Sequence, residues 1–160
     1  MKFDRASLEA EGFTGWLTFP DTRVKGAIPT TGGVYVVSYT APAPVAFLSS
    51  NPAKWRDGKD PTVSLHVLKA NWIDADVVYI GKANQLRRRI GQFRRYGEGR
   101  ATNHSGGRLI WQLAEPDKLC IAWKQTPDRV PLEVETEMIA TFRREYGKPP
   151  FANAPHLLGR

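Results

Sequence analysis

One cysteine and two methionines in 160 residues leave this chain little soft-ligand or redox chemistry. A single thiol forbids a disulfide within the chain, and with only three histidines a zinc cluster has no support. Cys120 lies in Leu119-Cys120-Ile121-Ala122-Trp123, which reads as a buried strand, so a nucleophilic role for it is disfavoured. Long apolar runs are also missing. Nothing approaches the ~20 residues that span a bilayer, and Met1-Lys2-Phe3-Asp4-Arg5 leads into no signal-peptide core. A soluble, cytoplasmic protein with no membrane partner is therefore expected. Acid is scarcer than base: 16 carboxylates against 23 lysines and arginines give a net charge of +7, which favours a polyanionic partner.

The charge is concentrated. Between Arg87 and Arg108 stand seven arginines (87, 88, 89, 94, 95, 100 and 108) against one acid, Glu98, whereas 132–137 is acidic. With 41% hydrophobic residues the chain has the size and content of one domain, 1–160. Its first 31 residues read as a lead-in, with Ser7-Leu8-Glu9-Ala10-Glu11 as a short capped helix. Gly33 to Tyr39, rich in valine and tyrosine and punctuated by glycine and proline, predicts a strand. An insertion over about 41–75 carries loop chemistry, within which Thr62 to Leu68 fits either a strand or a short helix. Asp76 to Gly81 predicts a second strand and Leu119 to Lys124 a third.

Helical spacing of Leu86, Ile90 and Phe93 predicts a helix from about Asn84 to Tyr96. At 100° per residue Arg89 falls ~40° from Phe93, beside the buried face, while Arg88 and Arg95 point away into solvent. His104-Ser105-Gly106-Gly107 predicts a turn, with Ser105 capping a short helix that turns Leu109, Ile110 and Leu113 inward. The last helix should start at Pro131 and end before Gly147. On its wheel Val134, Met138, Ile139, Phe142 and Tyr146 form an apolar arc with Glu135 in its middle, whereas Glu133 and Glu137 point elsewhere. Taken alone, a first-turn glutamate does no more than complement the helix dipole.

These pieces resemble the GIY-YIG nuclease family. Its two naming motifs read here Gly33-Val34-Tyr35 and Tyr79-Ile80-Gly81. The family's Lys-Ala-x-x-Leu-x-x-Arg is met by Lys82-Ala83-Asn84-Gln85-Leu86-Arg87-Arg88-Arg89, its Glu-x-x-[Leu/Met]-Ile by Glu135-Thr136-Glu137-Met138-Ile139, and its Pro-x-x-Asn by Pro150-Phe151-Ala152-Asn153. Any triplet alone is worthless; order and spacing supply the specificity. The resemblance covers roughly residues 32–153 and implies a mixed α+β fold, a small three-stranded sheet flanked by helices. Two departures stand out. The stretch between the first two motifs is far longer than the family's usual short connection, leaving room for a substrate-facing edge that is remodelled or covered. Phe93 stands where some members carry a polar residue.

The resemblance implies a metal-dependent DNA endonuclease that leaves 5′-phosphate and 3′-hydroxyl ends. Glu135 would hold one Mg²⁺ or Mn²⁺, and Arg89 would pair with a non-bridging phosphate oxygen. Tyr35 would orient or deprotonate the attacking water, which needs its pKa lowered from ~10 by nearby positive charge. Tyr79 would bond phosphate or water, and His104, in a mobile-looking turn, is either a sharer of the proton work or only a surface histidine. Asn153 would support the site by bonding backbone near the tyrosines, with Gly33 and Gly81 permitting close approach. Lys82, Arg87, Arg88, Arg94, Arg95 and Arg100 would contact flanking phosphates without reading sequence. Three rivals stand beside this reading: a non-catalytic nucleic-acid-binding module, an RNA-cleaving enzyme, and an interaction surface anchored by Trp16, Trp55 and Trp72.

Overall fold

The structure, a computed structural model, describes residues 2–24, 26–102, 104 and 106–153. It is a mixed α+β fold built on a four-stranded antiparallel sheet in the order β1-β4-β2-β3, with β1 Thr14–Thr18, β2 Gly33–Tyr39, β3 Val77–Ala83 and β4 Leu119–Gln125. Four helices accompany it: α1 Arg5–Ala10, α2 Leu65–Asn71, α3 Leu86–Gly97 and α4 Pro131–Tyr146. Among the described residues no helix is long and apolar enough to cross a membrane.

Every residue of β2 is buried, as befits the strand with a neighbour on both sides and helices on both faces. Side chains alternate across the sheet, so β2 and β3 divide the core in two. Tyr35 and Val37 join Ile90, Phe93 and Trp111 on the α3 face. Val34, Val36 and Ile80 join Met138 and Phe142 on the α4 face. α3 reaches this position because Leu86, Ile90, Phe93 and Tyr96 recur at the helical period and are all buried. α4 begins with Pro131 at its first turn and stops at Gly147, whose φ of 81° closes the helix in the left-handed conformation that glycine adopts without strain.

The sheet has one strand more than the three expected. Thr14–Thr18 pairs antiparallel with β4, Thr14 opposite Trp123 and Thr18 opposite Cys120, with an irregularity between Gly15 and Leu17. Gly15 has φ 108° and Trp16 φ 55°, so the segment lacks the even alternation by which a strand is read from sequence. The first 31 residues are thus part of the body and not a lead-in: Phe3, Leu8 and Phe13 fill the α4-side core, Phe19 and Ile28 the α3-side core. α1 is capped by Asp4, whose carboxylate accepts from the Ser7 N–H at 2.8 Å, and so starts before the serine that the sequence suggested.

Within the insertion, Ser64 caps α2, which settles the strand-or-helix alternative for that stretch. Buried amides fix the rest. The Gln112 side-chain amide donates to the carbonyls of Leu48 and Val63 and accepts from the Val63 N–H. Asn51 donates to the Arg108 carbonyl and accepts from the Ala53 N–H. Trp72 packs its ring edge-on against Phe151 at 5.2 Å and belongs to the core, whereas Trp55 is 53% exposed. Cys120 is only half-buried in β4, and burial raises its thiol pKa.

Candidate active site

Antiparallel register brings the two tyrosines together. Tyr35 faces Gly81 and Val37 faces Tyr79 across the β2–β3 ladder, so Tyr35 and Tyr79 are diagonal neighbours on the α3 face, their ring centroids 6.1 Å apart. Gly81 makes this possible. A Cβ there would lie 2.3 Å from Tyr35 Cζ and 2.6 Å from its hydroxyl, so the phenol occupies the space that any other residue would fill. Gly33 has a parallel reason: its Cβ would lie 2.2 Å from the Lys124 carbonyl oxygen.

Arg89 from α3 and Glu135 from α4 both bear electrostatically on both tyrosine hydroxyls. Glu135 is half-buried; desolvation raises its carboxyl pKa, while the charges of Lys82 and Arg89 pull it down. Arg89 donates from Nη1 to Gln92 Oε1 at 3.2 Å. Asn153 clamps the outer edge of β3: its Oδ1 accepts from the Ile80 N–H at 2.8 Å and its Nδ2 donates to the Ile80 carbonyl at 2.9 Å. One side-chain amide thereby stands in for a neighbouring strand, between Tyr79 and Gly81.

Burial overrides positive charge at the tyrosines. Desolvation pushes Tyr35 well above the usual phenol value, with Arg89 opposing only in part, and it pushes Tyr79 up to about 12. Both hold their protons near neutral pH. The lowering that a base at Tyr35 needs is therefore not supplied by Arg89 alone.

His104 also differs from the sequence reading. It is fully buried, stacked on Phe93 with centroids 4.3 Å apart and planes 11° from parallel. Among the described residues neither ring nitrogen has a hydrogen-bond partner, and burial, reinforced by Arg89 and Arg56, pushes its pKa down to about 3. A histidine that stays neutral through the physiological range does not share proton work there. The short helix nearby, the 3-10 turn Arg108–Gln112, follows Gly107 at φ 70°, and the cap expected at Ser105 lies outside the described residues.

Lys82, Asn84, Gln85, Arg88, Arg89 and Gln92 line an open cleft of about 620 Å³ beside the site. Of the further arginines, Arg88 and Arg100 are exposed and Arg95 is half-buried, while Arg87 spends its Nε on the Ile28 carbonyl at 2.8 Å. Arg94 turns inward. Its side chain is only 14% exposed, donates to Thr22 Oγ1 at 3.1 Å and pairs with Glu98, which also binds Arg23. Arg94 ties α3 to the N-terminal segment, in place of the contact to flanking phosphates expected of it.

Two participants were not foreseen. Gln92 holds Arg89, and an amide three residues after an arginine on a helix is the one local signal that pointed to it. Phe93, expected on the buried face of its helix but not as part of the site, is the hub on which Tyr35, Tyr79 and His104 pack, with centroid distances of 6.2, 5.3 and 4.3 Å. Among the described residues no three His, Cys, Asp or Glu side chains gather to hold a metal. No protein-family model matches the chain, and no curated protein or solved structure matches it either.

Proposed function

We propose that this protein is a phosphodiester hydrolase of GIY-YIG type, an endonuclease acting on DNA in the cytoplasm. The observation that carries the reading is the convergence of Tyr35, Tyr79, Arg89 and Glu135, drawn from β2, β3, α3 and α4, beside a cleft lined by Lys82, Arg88 and Arg89. A half-buried glutamate amid tyrosines and cations is chemistry that a purely structural core does not need.

Arg89, braced by Gln92, would present its guanidinium to a non-bridging phosphate oxygen. Lys82 and Arg88 would hold the flanking phosphates. Tyr35 and Tyr79, both protonated, would act by hydrogen bonding: their hydroxyls orient the attacking water and steady the phosphate without taking a proton. Glu135 is a single hard oxygen ligand and fits Mg²⁺ or Mn²⁺ only in partnership with water and substrate phosphate, the habit of magnesium at phosphoryl sites. When bound, the cation supplies charge neutralisation and a water acidified enough to attack. The leaving oxygen departs as a 3′-hydroxyl, with the phosphate kept on the 5′ side.

Purified protein incubated with supercoiled plasmid, Y-shaped DNA, four-way DNA and matched RNA, with Mg²⁺ or EDTA, tests this. Metal-dependent cutting should fall by about 10²-fold or more in Glu135→Gln and Arg89→Ala while binding largely persists. Arg95→Ala should mainly weaken binding and reduce its salt slope by about one. Binding with no cutting of any substrate sinks the enzyme and leaves a binding module; cutting of RNA alone moves the substrate class.

A further inference from the structure

The insertion displays one large aromatic side chain to solvent and holds it there with buried hydrogen bonds. Arg56 and Lys59 form a miniature hairpin: the Lys59 N–H donates to the Arg56 carbonyl at 2.8 Å and the Arg56 N–H to the Lys59 carbonyl at 3.3 Å. Asp57 and Gly58 between them have φ 51° and 72°, the positive pair that a tight two-residue turn requires. Trp55 precedes this turn, 53% exposed, flanked in sequence by Lys54 and Arg56. Asp60, the acid beyond Lys59, already accepts from the Thr62 N–H at 2.9 Å.

The hairpin is not a loose loop. The Lys54 N–H donates to the Tyr96 carbonyl at the end of α3 at 2.9 Å, and Asn51, 5% exposed, locks the preceding turn onto Arg108 and Ala53. Two anchors therefore fix the platform, while the tryptophan they position is left without a core. The hairpin connects to the candidate active site through the end of α3: the Tyr96 ring, whose carbonyl Lys54 holds, lies 6.0 Å from His104, and His104 stacks on Phe93, which packs on Tyr79.

An exposed indole on a fixed platform, flanked in sequence by Lys54 and Arg56, is the chemistry that recognises an unpaired nucleobase with its backbone. We propose that Trp55 is a stacking site for a single-stranded nucleotide flanking the site of cutting, which would direct this protein to nucleic acid containing unpaired bases. The proposal rests on the nuclease reading for its partner, but it concerns a different residue and is read by binding instead of cutting.

The test uses the full-length chain carrying Glu135→Gln, so that substrate survives, and fluorescence anisotropy with a labelled single-stranded DNA and the duplex of the same sequence. Adding Trp55→Ala should weaken single-strand binding about five- to one-hundred-fold, and Trp55→Phe should restore most of it. Duplex binding should change less than about two-fold, since a paired base offers no free face. Circular dichroism should show both variants folded, because the side chain has little burial to lose. Equal losses on single strand and duplex, or no loss on either, overturn the stacking site. Trp55-dependent binding by a wild-type protein that cuts nothing would sink the nuclease reading alone. Cutting abolished by Glu135→Gln with no effect of Trp55 would sink the hairpin site alone.

Discussion

Replacing His104 with leucine should leave the protein folded at neutral pH and make it markedly more resistant to acid. The imidazole is fully buried against Phe93, with both nitrogens unpartnered among the described residues, and its pKa is about 3 in the folded chain against 6.5 when unfolded. The unfolded chain therefore binds a proton below about pH 6.5 that the native state refuses until about pH 3, so native stability falls as pH is lowered through this window. Between about pH 7 and pH 4.5 the loss from this one group comes to about 2.5 kcal/mol. Against a total stability of about 5–15 kcal/mol, that is a large share. Leucine has nearly the volume of imidazole and removes two desolvated polar atoms, an exchange that is close to neutral when both groups lacked partners. Urea denaturation followed by tryptophan fluorescence at a series of pH values measures the difference directly. Between those two pH values the wild-type midpoint should fall about 1 M further than that of His104→Leu. Glu135, whose raised pKa acts in the opposite direction, is present in both proteins and cancels from the comparison. Parallel pH profiles would refute the burial argument, and with it the exclusion of His104 from proton transfer.

Gly81→Ala should destabilise the fold by about 1–3 kcal/mol in the same denaturation assay, because its Cβ would sit 2.3 Å from Tyr35 Cζ and a ring that is 1% exposed has nowhere to retreat. An unchanged midpoint would mean that the two strands separate more easily than their register implies. Asn153→Ala removes two hydrogen bonds to Ile80 and leaves both backbone groups at the β3 edge unpaired, which should lower stability by about 1–3 kcal/mol. Amide hydrogen exchange should show Ile80 losing protection while Val36, in the middle of the sheet, keeps its own.

Local pattern carried the reading wherever local pattern decides the structure. Pro131 and Gly147 bracket α4, the spacing of Leu86, Ile90 and Phe93 sets α3, and the valine-tyrosine run sets β2. Where the structure departs, the cause lies in partners distant in sequence. β1 is a strand because β4, a hundred residues later, offers an edge to it, while Gly15 and Trp16 break the alternation that would have announced it. Arg94 turns inward because Thr22 and Glu98 wait for it. His104 sits in a stretch of turn residues that any local rule exposes, yet Phe93 and Tyr96 bury it. The Tyr35 pKa shows the same limit: the arginine beside it was legible, but the depth of the ring beneath the sheet was not, and depth dominates.

The order in which the cluster's members occur along the chain has a consequence for synthesis. Tyr35, Tyr79 and Arg89 lie in the first nine-sixteenths of the sequence, whereas the carboxylate at 135 and the edge clamp at 153 come last. A ribosome-bound chain can pair β2 with β3 and dock α3 long before it possesses Glu135, and β1 must wait for β4 before it has a neighbour. The nascent chain accordingly carries Arg89 on a docked helix before the carboxylate that will face it has been made.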